Sequence, residues 1–172
     1  LRDAPGVWPT GISHSGEASW DQYEGSYSTP IYLSGTWPYT IEGGTFVSDA
    51  AGRPMLQGSE TGRFTIGIPK TTAPAAGFPV LVYGHGSNGS RLEVFAPPRM
   101  LPSPVPELIA KGFVVLSFDS TLHGTRAPSG TIPAASTTNY DNLGATRDIT
   151  LQSAADALTA LRMVQSLSLI HI

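Results

Sequence analysis

Two short runs limit most strongly what this chain can fold into. Pro79–Tyr83 (PVLVY) is apolar throughout, and Phe113–Phe118 (FVVLSF) is broken only by Ser117. Neither alternates as a half-solvated strand does, so both read as strands buried on two faces, with helices above and below the sheet. Between them a helix is expected from near Val105 or Pro106 through ELIAKG, opened by proline and stopped by Gly112. Upstream, Gly62–Pro69 (GRFTIGIP) alternates, with Phe64, Ile66 and Ile68 on one face of a half-buried strand. Downstream, residues 146–166 carry Leu151, Ala154, Ala155, Leu158 and Leu161 at helical spacing, which predicts one buried stripe. Asp148 and Arg162 would complement the dipole of that helix at its two ends. Strands alternating with helices predict an α/β fold with a mostly parallel sheet flanked by helices.

At 172 residues the chain can build one domain with its own core. Its basic residues are scattered and its formal net charge is −3, which leaves no electrostatic footprint for nucleic acid. With no Cys, disulfides, thiolate zinc sites and a cysteine nucleophile are excluded. No apolar run approaches the length that spans a bilayer, so stable membrane insertion is not expected. Residues 1–61 are rich in Gly, Ser, Pro, Trp and Tyr and predict an irregular, β-rich lead-in before a main unit over 62–166. Thr45–Ser48 reads as a short strand and DAAGRP as a turn, while Thr121–Gly144 reads as a long functional loop. Two Lys among many Ser, Thr, Gly and aromatic residues point to a secreted or periplasmic bacterial protein whose signal peptide lies outside these residues.

The loop after PVLVY is Gly84-His85-Gly86-Ser87-Asn88-Gly89, a G-x-G-x-x-G string that also contains H-G-x-x-G. A dinucleotide loop requires a helix opening at its third glycine and an acidic residue about 20 positions on. Here Pro97, Pro98, Pro102 and Pro104 forbid that continuous helix, and Asp119 lies 35 residues after Gly84. No Lys follows the glycines, so a P-loop is excluded as well. An oxyanion loop asks only for small residues that let the backbone turn an N–H outward, and Gly84, Gly86 and Gly89 would supply that freedom. Ser87 then offers its backbone N–H, and His85 packs and hydrogen-bonds within the loop.

Three pieces in this order, PVLVYGHGSNGS, LIAKGFVVLSFDSTLHG and RDITLQSAADALTALR, resemble the α/β-hydrolase superfamily, specifically bacterial secreted esterase- and lipase-like members. The resemblance covers about residues 62–166. It implies the N-terminal half of an α/β-hydrolase fold and a carboxylic-ester hydrolase acting through an acyl-serine, on a small-molecule or lipid ester and without a cofactor. It also implies that the Ser87 N–H is an oxyanion donor within the loop Gly84, His85, Gly86, Asn88 and Gly89. Asp119 and His123 match the turn that braces the site in that family; a capping Asp and a satisfied His are the plainer alternative.

A serine hydrolase of this kind carries its nucleophile in G-x-S-x-G, followed by acid and then His. That string is absent. Gly11-Ile12-Ser13-His14-Ser15 reads as a loop, and Gly58-Ser59-Glu60-Thr61-Gly62 puts Glu at the nucleophile position. Ser87, Asp119 and His123 could be combined as a triad on paper, but no elbow exposes the serine. His14, His85 and His123 show no metal-ligand spacing. The closing hexapeptide Leu167–Ile172 (LSLIHI) matches, codon for codon, the translation of a transposase adapter used in sequencing libraries (CTGTCTCTTATACACATC). The expectation is therefore a non-native tail over 167–172, with nucleophile, acid and base encoded beyond the given residues. A peptidase, polyester depolymerase or dehalogenase on the same fold, or a non-catalytic binding protein, are the alternatives. A half-sheet of this kind would also expose an edge prone to aggregation.

Overall fold

Residues 9–96, 102–129 and 138–166 are described by the computed structural model. The expected tail at 167–172, and Pro97 and Pro98, lie outside them. Five strands form one sheet in the order β1-β2-β3-β5-β4. They are β1 (Thr10–Gly16), β2 (Trp20–Ile31), β3 (Gly58–Pro69), β4 (Val80–Tyr83) and β5 (Val114–Phe118). The α-helices among the described residues are α1 (Val105–Ala110) and α2 (Leu143–Ser166).

The sheet is mixed rather than mostly parallel. β1–β2, β2–β3 and β3–β5 pair antiparallel, and β4–β5 is the parallel pair. The reason is in the connections. A parallel neighbour needs a crossover, which α1 supplies between β4 and β5. Residues 70–79, with two prolines and a glycine, form no helix, and β5 inserts between β3 and β4. β5 is buried at all five positions. β4 is only half-buried, against the expectation of two covered faces, because it stands at the edge with one strand neighbour among the described residues.

Residues 10–31 are more regular than an irregular lead-in. β2 pairs with β3 along its full length, from Trp20↔Pro69 to Ile31↔Gly58. Gly11–Ser15 is part of β1, not a loop; every residue of that edge strand is exposed, so no alternation marks it. A boundary at residues 61 and 62 falls inside β3. The expected DAAGRP turn is present, with the Asp49 carboxylate accepting the Ala51 and Arg53 N–H groups at 2.9 and 3.0 Å. Thr45–Ser48 contributes isolated bridges, Leu33↔Phe46 and Ser48↔Pro54.

The sheet is covered on both faces. On one, Phe64, Ile66, Leu116 and Phe118 pack with Ala160, Met163 and Val164 of α2. On the other, Val115, Leu81 and Tyr83 pack with Val105 and Ile109 of α1. Phe64, Ile66 and Ile68 do share one face, as their alternation predicts.

The buried stripe of α2 is not the expected one. Leu151 and Leu158 are more than half exposed, whereas Ala145, Asp148, Ile149, Gln152, Asp156 and Thr159 are buried. Their spacing is equally helical, but four members are polar, and three of these, Asp148, Gln152 and Asp156, are held by the residues before β3. Asp148 accepts the Phe46 N–H at 2.8 Å, and Gln152 accepts the Tyr32 N–H at 2.9 Å while donating to the Pro30 carbonyl at 2.8 Å. The helix also starts at Leu143, so Asp148 and Arg162 lie outside its first and last turns and the dipole argument does not apply.

Candidate active site

The loop after β4 and the turn after β5 meet beyond the carboxyl ends of the parallel pair, where ligands sit in sheets of this kind. Asp119 joins them. Its carboxylate has no exposed surface and accepts the Arg91 N–H at 2.8 Å, the Thr125 N–H at 3.0 Å and the Thr125 hydroxyl at 2.8 Å. The Arg91 side chain bonds Glu24 of β2 at 2.7 Å, which carries the same tie across the sheet. Gly124, at φ +53°, lies against this carboxylate, and a Cβ there would overlap its oxygens. A short 3-10 turn, Gly124–Arg126, thus interrupts the long loop expected over 121–144; residues 130–137 of that loop lie outside the described residues.

His85 bridges the two segments. Its Nδ1 lies 2.9 Å from the Gly86 carbonyl, and its Nε2 lies 3.1 Å from the Ser120 N–H. A carbonyl only accepts and an N–H only donates, so both bonds form together in the neutral ring with hydrogen on Nδ1. The His123 ring sits 4.9 Å from that of His85, centre to centre. Its Nδ1 donates to the Thr121 carbonyl at 2.9 Å, and its Nε2 is buried without a partner among the described residues.

Burial pushes the His123 pKa below the ordinary 6.5; the Thr121 bond opposes this and the neighbouring His85 adds to it. The unfolded chain therefore takes up a proton at higher pH than the folded one. Stability from the neutral ring is present above 6.5 and is lost as pH falls through the lower folded value. Melting temperature is expected to fall more steeply from about pH 7 to about pH 5 in the wild type than in His123→Asn. Parallel profiles for the two proteins would refute this.

The glycines do not act as expected. None of Gly84, Gly86 and Gly89 is in the left-handed region; Asn88 is, at φ +64°. Gly89 is needed for space, since a Cβ would strike Glu93, His85 and the Gly86 carbonyl. Around Gly84 and Gly86 a Cβ would touch nothing, so that side of the loop is open. Ser87 is exposed, and its N–H has no partner among the described residues. Ser87, Gly86, His85, His123 and Ser120 line a cavity of about 330 Å³, closed on its far side by Thr146, Ile149, Thr150 and Ser153 of α2. Residues 91–95 turn without forming a helix, so no helix opens directly at Gly89 to face a pyrophosphate.

The sequence reading missed a second cluster behind this turn. Arg126, 5% exposed, donates to Asp156 at 2.6 Å, to the Asp119 carbonyl at 2.9 Å and to Glu60. Asp156 also accepts the Thr29 hydroxyl at 2.9 Å and the Thr121 N–H at 3.1 Å. The signal available was the i, i+4, i+8 spacing of Asp148, Gln152 and Asp156 on one helix face.

No family model matches this chain, and no curated protein does either. Solved structures do share its fold. A Bacteroides fragilis protein described as an acetyl xylan esterase aligns over 99% of this chain and 40% of its own, at 12% identity and a TM-score of 0.53. The acetyl xylan esterase of Paenibacillus sp. R4 aligns over 99% and 44%, at 18% identity and a TM-score of 0.50. The chain therefore spans less than half the length of either.

Proposed function

We propose that this chain is part of a secreted serine hydrolase that cleaves carboxylic esters through an acyl-serine intermediate. The open loop carries the reading: Ser87 lines a cavity at the carboxyl end of β4, and its N–H has no partner among the described residues. Attack on an ester carbonyl builds negative charge on oxygen, and a fixed backbone N–H stabilises that charge without reorganising. Asp119, His85 and His123 hold the loop to the turn after β5, so the donor is fixed before substrate arrives. His85 does not serve as the base, because both its nitrogens are engaged. Both structural relatives are described as esterases, which favours ester hydrolysis over other chemistry on this fold.

The nucleophile, acid and base belong to a longer protein, whose nucleophile strand would pair along the open edge of β4. Extending the reading frame from the source DNA tests this. The longer product is expected to carry G-x-S-x-G and to hydrolyse p-nitrophenyl acetate, while the 172-residue chain does not. Turnover by the 172-residue chain itself, or a longer product that lacks both the motif and the activity, would defeat the proposal.

A further inference from the structure

A second cavity, of about 520 Å³, opens at the same end of the sheet on the other side of the Gly124–Arg126 turn. Its walls include Trp37, Tyr39, Gln57, Ser59, Glu60 and Arg126. Nothing in ester hydrolysis as set out above uses it. We propose that this cleft binds a neutral oligosaccharide, with a pyranose ring stacked on Trp37.

Trp37 is 44% exposed, unusual for so large an apolar ring. It is not on a loose loop. Next to it, Tyr39 is 5% exposed, and the backbone just beyond is pinned from a distance by two asparagines. Asn142 donates to the carbonyls of Tyr39 at 3.0 Å and Gly43 at 3.1 Å, and Asn139 donates to that of Thr40 at 2.6 Å. Tyr39 itself is at φ +63°, a conformation these bonds hold in place. An indole presented this way is a preorganised flat platform, and its negative face attracts the polarised C–H groups on one face of a sugar ring.

The remaining wall fits sugar hydroxyls. Gln57 supplies an amide, Ser59 a hydroxyl and Glu60 a carboxylate, and Arg126 engages Glu60 through Oε1 alone, leaving Oε2 to accept. Charge decides against an anionic ligand. The Arg126 guanidinium is shared between two carboxylates, Glu60 and Asp156, so the wall has no positive charge to offer phosphate. An acyl chain is disfavoured too, because these polar groups would be desolvated without replacement partners. The site stands whether or not the Ser87 loop serves ester cleavage.

The test is titration of the 15N-labelled chain with xylotetraose and cellotetraose, following the Trp37 indole resonance. Saturable shifts in the millimolar range are expected with at least one of them. Trp37→Ala is expected to weaken binding by roughly tenfold or more, Trp37→Phe by less, and Gln57→Ala by a few-fold. Melting curves matching the wild type show that the variants fold. If the indole does not move with either sugar, or if Trp37→Ala and Gln57→Ala bind as the wild type does, the proposal is wrong. Stronger shifts with inorganic phosphate or hexanoate than with either sugar would also overturn it. None of these outcomes depends on esterase activity, so the two proposals fail separately.

Discussion

Asp156→Ala is expected to destabilise the protein by about 3–5 kcal/mol, a large share of the roughly 5–15 kcal/mol a domain has. Asp156 has no exposed surface and accepts from Thr29, Thr121, Gln152 and Arg126. Truncation leaves a buried guanidinium with one carboxylate instead of two, together with an orphaned backbone N–H and hydroxyl. Burial alone would lower the Arg126 pKa, and Asp156 and Glu60 together outweigh it. A guanidinium stays charged in proteins, so the cut leaves that charge buried with Glu60 as its carboxylate partner. The surface pair Lys70–Asp21, 3.6 Å apart, serves as the control; Lys70→Ala should cost under about 1 kcal/mol. Urea midpoints measure both. A shift for Asp156→Ala no larger than that for Lys70→Ala would mean the buried network does not hold the fold.

Ser87 gives the second large effect, and it is read in the longer, active product proposed above. Ser87→Pro deletes the N–H, while Ser87→Ala keeps it and removes only the hydroxyl. If this N–H stabilises the oxyanion, the proline variant should lose roughly a hundredfold or more in kcat. The alanine variant should stay within a few-fold of the wild type. KM should change little in either, because the bond is made to charge that develops only in the transition state. An alanine variant as impaired as the proline one would move the role to the hydroxyl and defeat the oxyanion assignment.

The parts of the fold legible in the sequence were those where burial is apolar and punctuation is strong. β5 and α1 are marked by an unbroken apolar run, a proline start and Gly112, and the structure has them within a residue of their expected bounds. β2 was illegible for the opposite reason. WDQYEGSYSTPI has little alternation, and its buried members include Thr29, paid for by a hydrogen bond to Asp156 127 residues away. α2 misled in the same way: hydropathy favoured the face with Leu151 and Leu158, but the buried face is polar and becomes favourable only with residues 29–46 against it. For the site, glycine spacing marked a loop, and in the structure that loop follows β4 and lies beside the turn after β5. It did not reveal that Asn88 takes the left-handed turn, or that His85 reaches across to Ser120.

The strand order has a consequence for synthesis. β4 does not touch β3; β5 lies between them and is made 31 residues after β4 ends. A chain leaving the ribosome can therefore zip β1, β2 and β3 in order, but must then carry Val80–Tyr83 without a strand partner until Val114 appears. This interval is when the segment is most exposed to foreign edges. Closing the sheet also depends on one late insertion that makes two pairings at once, a non-local step of the kind that slows folding. Pausing translation after residue 118, rather than after residue 96, should mark the point at which β4 becomes protected from proteolysis.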